Sequence, residues 1–172
     1  NQEGAMILSS WFRSLFVKNS SHLDQRFHGP DACSTFAIAT ALGKDEEWAL
    51  KLFKDEPDKV PQHVLDLLVF RGEIKSWLPY RSAYSAKSAL KARKAVVLAC
   101  PWPTRISDDY FLDVSYCKGG HAICISDWNG KYFTLKGTAG DDWHDHGDCY
   151  ITAMSLDHLT FDLGGNIMVI RK

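Results

Sequence analysis

At 172 residues, 45% of them hydrophobic and including six Trp, six Tyr and nine Phe, the chain suffices for one globular domain with a sizeable core. A net charge of −1 with dispersed basic residues argues against a nucleic-acid or membrane-surface partner. No apolar run is long enough to cross a bilayer. The five cysteines, an odd count without a C-x-x-C pair, describe a chain that works reduced, without a disulfide framework.

Residues 1–6, which include Gly4-Ala5-Met6, read as linker or cloning residues, and residues 7–172 as a single domain. Trp11, Phe12, Leu15 and Phe16 share one helical face, which predicts a short N-terminal helix. The next helix starts near Ser34, capped by Asp31, and stops at Gly43. Asp45-Glu46-Glu47 opens a third helix that Pro57 ends, and Pro61 starts a fourth that closes before Gly72. Residues 82–94, rich in Ala and Lys, form a further helical candidate with a solvated basic face.

Strand signals dominate after that. Residues 95–99 predict a short strand ended by Pro101 and Pro103, and residues 120–127 predict another. Asn129-Gly130 is a hairpin signal joining it to Tyr132-Phe133-Thr134-Leu135-Lys136. Residues 149–152 and 167–170 complete an antiparallel set. Helices first and strands later predict an α+β fold with a largely antiparallel sheet.

Two segments carry chemistry. In His28-Gly29-Pro30-Asp31-Ala32-Cys33-Ser34-Thr35-Phe36, a cysteine stands where a turn gives way to a helix. Unpaired N–H groups and the helix dipole at such a start favour thiolate, the nucleophilic form. In Gly119-Gly120-His121-Ala122-Ile123, a histidine opens an apolar strand and is a candidate base. Cysteine on a helix and histidine on a distant strand suit a cysteine-nucleophile hydrolase. The acidic segment Asp141-Asp142-Trp143-His144-Asp145-His146-Gly147-Asp148 reads as a solvated loop, with divalent-metal binding as the competing use of its His-x-His pair. Trp102, Tyr110 and Phe111, ahead of the histidine strand, are candidates to line a pocket or to pack in the core.

In their order along the chain, these segments resemble the papain-like cysteine peptidases. Asp24-Gln25 through Cys33 to Leu42 is similar to the family's nucleophile helix and its preceding glutamine. Gly119-Gly120-His121-Ala122-Ile123 resembles the histidine strand. The run from Tyr132 through Trp143, then Gly147-Asp148-Cys149-Tyr150-Ile151, resembles the family's later strand, Trp turn and Gly-Tyr strand. The resemblance covers roughly residues 20–153. It implies a papain-like fold, N-terminal helices followed by a sheet, and an endopeptidase acting on a protein substrate with no cofactor and no catalytic metal. Cys33 would be the nucleophile and His121 the base, with Gln25 or His28 completing an oxyanion hole with the Cys33 N–H.

Two departures stand out. Gly137 occupies the place of the asparagine that orients the histidine, so either Asp142 replaces it or the site runs as a Cys–His dyad. Gln25 also lies two residues further from Cys33 than the family's glutamine does. Without the family's disulfides or a recognisable propeptide, the expectation is a secreted bacterial toxin or effector domain. It would act in a reducing cytosol and be held in check by an immunity or inhibitor protein. The competing readings are a peptidoglycan amidase, deamidase or acyltransferase with the same Cys–His site, and a non-catalytic binding module.

Overall fold

The computed structural model describes residues 23–56 and 60–172. Residues 1–6, the predicted helix around Trp11 and the expected stop at Pro57 lie outside the described residues. Two 3-10 turns, Gln25–Phe27 and Pro30–Ala32, lead into α1 (Cys33–Leu42). Then come α2 (Glu46–Asp55), α3 (Pro61–Phe70), β1 (Ser76–Tyr80), α4 (Ala83–Lys91), β2 (Ala95–Ile106) and β3 (Leu112–Trp128). The chain continues with β4 (Tyr132–Lys136), β5 (Asp148–Thr152), α5 (Ala153–Asp157), a π-helical turn at His158–Asp162, and β6 (Asn166–Arg171).

Local chemistry sets most of these boundaries. Gly43 ends α1 in the left-handed region at φ 69°, which costs glycine nothing. The Asp45 carboxylate accepts the Trp48 N–H at 2.9 Å to cap α2, and Pro61 occupies the first position of α3. The Asn129 side-chain oxygen accepts from the Lys131 and Tyr132 amides, 3.0 Å each, and so closes the β3–β4 hairpin.

The strands order β1-β6-β2-β3-β4-β5, and every pair is antiparallel. Two sequence expectations fail here. β2 does not stop at its prolines. It runs on to Ile106, with register shifts between Pro101 and Pro103 and between Pro103 and Arg105. Bulges absorb the donors that proline lacks. β1 goes unpredicted because Pro79 interrupts it; as an edge strand bonded only to β6, it tolerates the missing N–H.

Alternation along the central strands feeds two cores. On one face Val97, Ala122, Met168 and Ile170 pack against Ala37 and Ile38 of α1 and Val64, Leu65 and Leu68 of α3. On the other, Leu98, Cys100, Ile123, Ile125, Leu135 and Ile167 meet Ala83, Ala86 and Ala89 of α4, with Leu156 and Leu159. Helix α1 is enclosed: Phe36 and Ala39, turned from the sheet, pack on Ala32 and Ala49. Its Ala-rich composition lets the backbone come close to the sheet, so the position of Cys33 at its start is fixed by packing on two sides.

Gly165, just before β6, leaves no room for a side chain. A Cβ there would sit 2.8 Å from the Leu159 carbonyl oxygen, 2.9 Å from Cys100 Cβ and 3.1 Å from the Ala99 carbonyl oxygen. Gly165→Ala should therefore destabilise the fold by about 1–3 kcal/mol, read as a lower denaturation midpoint at unchanged m-value.

Candidate active site

Cys33 is the first residue of α1 and is partly buried at the margin of the α1–α3 core. The expected Asp31 cap is absent. Asp31 lies within the turn Pro30–Ala32, which runs straight into the helix, so the cap position falls to Ala32, whose φ of −74° and ψ of −10° are already helical. Gly29, at φ 88°, makes the reversal that allows this entry. No side chain caps the first turn of α1, so no carboxylate competes for its N–H groups. The other four cysteines are ill suited to nucleophilic work. Burial pushes Cys100 and Cys124 up to about 12 and raises Cys117 and Cys149 as well. All five are unpaired.

His121 lies on β3 directly opposite Cys100 of β2. Its ring meets Trp102 edge-on, with centroids 4.5 Å apart. Cys33 and His121 both border a cleft of about 400 Å³, lined mainly by small or apolar residues including Val60, Ala99, Pro101 and Leu163. Burial pushes His121 down to about 4, so the imidazole is neutral at physiological pH. Among the described residues no hydrogen bond reaches this ring.

Gly137 stands where the resemblance places the orienting asparagine. A Cβ there would be 2.6 Å from the Gly147 carbonyl oxygen and closer still to Cε3 and Cζ3 of Trp143. The indole fills the space that an asparagine side chain would need. Asp142 does not replace that asparagine. Its carboxylate is 72% exposed and accepts from the Arg26 guanidinium, Oδ1 at 2.9 Å and Oδ2 at 3.2 Å. His28 is also committed elsewhere: its Nε2 lies 3.1 Å from Glu46 Oε1, and its ring packs on Phe36 with centroids 5.6 Å apart. It secures the loop to α2 and leaves Gln25 as the side-chain oxyanion candidate.

Gln25 is held by a contact the sequence did not signal. Its N–H donates to the Thr138 carbonyl at 2.7 Å, and the Thr138 hydroxyl donates to Gln25 Oε1 at 2.5 Å. Arg26 reinforces the same join, binding Asp24 through Nε at 2.9 Å and Nη2 at 2.6 Å while also holding Asp142. That contact holds the Asp24 carboxyl below the usual carboxylate range. Adjacency of Arg26 to Gln25, and of Thr138 to Gly137, was the only available hint.

In the acidic loop His144 packs on Trp143 with centroids 4.0 Å apart, and the Tyr150 hydroxyl donates to Asp145 at 2.5 Å. Among the described residues no three His, Cys, Asp or Glu side chains are placed to hold a metal ion. Phe111 stacks on Tyr132 and Tyr150. Trp102 is the one of the three named aromatics that touches His121.

No protein-family model and no curated protein matches the chain. Among solved structures it is similar to bromelain from Ananas comosus in complex with the inhibitor E64. That match has a TM-score of 0.62 at 13% identity and covers 87% of this chain and 92% of the other. It is similar to the Carica candamarcensis cysteine protease CMS1MS2 in complex with E-64, at TM-score 0.59, 13% identity and coverage of 88% and 92%. It also resembles a putative C39-like peptidase from Bacillus anthracis, at TM-score 0.58, 13% identity and coverage of 88% and 94%. The chain has the papain-like cysteine-peptidase fold, α+β with N-terminal helices preceding the sheet.

Two measurements check the site. Gly137→Asn should lower stability by about 3 kcal/mol or more, because neither Trp143 nor the Gly147 backbone can move aside cheaply. The His121 ring should titrate near 4 by NMR. The fold favours its neutral form, so this group's contribution to stability is complete above the unfolded value of 6.5 and is lost as pH falls towards 4. A His121 titration at or above 6.5 would contradict the burial argument.

Proposed function

We propose that this chain is a thiol hydrolase, an endopeptidase that cleaves a protein substrate through an acyl-enzyme on Cys33. The observation that carries the reading is that Cys33, from the start of α1, and His121, from β3, border one cleft in a fold shared with cysteine peptidases. As Cys33 Sγ adds to the scissile carbonyl carbon, the neutral His121 imidazole takes the thiol proton. The carbonyl π pair moves to oxygen, which accepts hydrogen bonds from the Cys33 N–H and the Gln25 carboxamide NH2. Collapse re-forms the C=O and breaks the C–N bond, while His121 passes its proton to the leaving amine. Water then adds to the thioester carbonyl and gives its proton to His121. The C–S bond breaks, the acid departs, and the proton returns to Cys33.

With Trp143 in the asparagine niche and Asp142 on Arg26, the proposal is a Cys–His dyad. The thiol chemistry suits a reducing compartment, in keeping with a delivered toxin or effector restrained by an immunity protein. The direct test is covalent labelling. An epoxysuccinyl inhibitor should add once, at Cys33, and Cys33→Ala should block addition and lower turnover on a denatured-protein pool at least about 10³-fold. Labelling at another cysteine, or turnover that survives Cys33→Ala, would overturn the reading.

A further inference from the structure

We infer that Thr138 is a positioning residue for the oxyanion hole, setting which end of the Gln25 carboxamide faces the reacting carbonyl; this rests on the hydrolase reading above. Thr138 is 2% exposed, and its hydroxyl is 2.5 Å from Gln25 Oε1. In this bond the hydroxyl donates and the amide oxygen accepts. The contact therefore specifies the amide orientation: oxygen on Thr138, NH2 at the other end. Among the described residues nothing else bonds the Gln25 side chain.

The backbone makes this more than a side-chain coincidence. Gln25 N–H donates to the Thr138 carbonyl at 2.7 Å, Gly140 N–H donates to the Leu23 carbonyl at 3.2 Å, and Asp24 bridges Ala139. Residues 23–25 thus run antiparallel to residues 138–140, just past the end of β4, and the Arg26 guanidinium ties both sides together through Asp24 and Asp142. A carboxamide has two ends of nearly equal shape, and only one can donate to an oxyanion. In a site where the imidazole lacks an orienting partner, the fixed donor carries a larger share of transition-state stabilisation.

The test uses the full chain with Thr138→Val, which removes the hydroxyl at nearly constant volume, and Thr138→Ser, which keeps it. Thr138→Val should lower kcat about 10- to 100-fold with little change in KM, and Thr138→Ser should restore most of the loss. Alkylation of Cys33 by iodoacetamide, which forms no oxyanion, should proceed at the wild-type rate in both. In a Gln25→Ala background Thr138→Val should cost nothing further. Independently of turnover, the Gln25 side-chain NH2 resonances should be rigid in the wild type and averaged in Thr138→Val. If Thr138→Val turns over like the wild type, or slows alkylation and turnover together, this inference falls alone. A wild-type protein that neither labels at Cys33 nor turns over removes the hydrolase reading and this inference with it.

Discussion

The contact between Trp143 and the bare backbone of Gly137 is the constraint on which the rest of the site depends. The indole and the Gly147 carbonyl stand where a Cβ would be, so position 137 can carry no side chain while the loop keeps this shape. The loop closes on itself around that packing: Gly137 N–H donates to the Gly147 carbonyl at 2.8 Å, and Gly147 N–H to the Trp143 carbonyl at 2.6 Å. An aromatic ring buries much more apolar area than an asparagine would, and it needs no polar partner at that face. The cost is chemical. The asparagine that the resemblance places beside the imidazole is missing, and the turn that brings Trp143 inward leaves Asp142 outside, on Arg26.

Desolvation sets the electrostatics of His121. An imidazole that is half-buried against Trp102, with no hydrogen-bond partner among the described residues, favours its neutral form, and so desolvation pushes His121 to about 4. A resting thiolate–imidazolium pair gains little support from such surroundings. General-base transfer, with the proton leaving sulfur as the bond to carbon forms, asks less of them. A base of low pKa is entirely unprotonated at neutral pH, which suits it to accept, although it is a weaker acceptor once the transfer begins. In the proposed mechanism, weaker assistance at the base shifts the burden to the donors facing the developing oxyanion, where fixed geometry counts most.

What the sequence disclosed and what it hid follow a physical division. Caps, hairpins and strand alternation are local, and Asp45, Pro61, Gly43 and Asn129-Gly130 behave as their chemistry demands. The positions of Cys33 at a helix start and of His121 on an apolar strand were legible for the same reason, since each element is written in a few consecutive residues. Partner choice is not local. Asp142 binds an arginine far away in sequence, His28 turns to Glu46, and Asp31 is displaced from its cap by a turn that Gly29 initiates. β1 was hidden by a proline that only its edge position excuses, and the continuation of β2 by two prolines that bulges absorb. In each miss, tertiary structure supplied a partner or a tolerance that the residue type alone does not reveal.

The longer spacing between Gln25 and Cys33 finds its explanation in the same terms. Two 3-10 turns, separated by the reversal at Gly29, carry the chain from Gln25 to α1. A 3-10 turn advances about 2 Å per residue, against more than 3 Å for extended chain, so the added residues increase the path length more than the distance spanned. Gln25 is therefore located by Thr138, just past β4, and not by its count from Cys33. Thr138 holds it through both backbone and side chain, and Thr138 lies two residues past the end of β4, the neighbour of the strand that bears His121. A donor referenced to the sheet keeps its place when the loop between it and Cys33 changes length. In the proposed site the sheet thus positions both His121 and Gln25, and only Cys33 arrives from the helical layer.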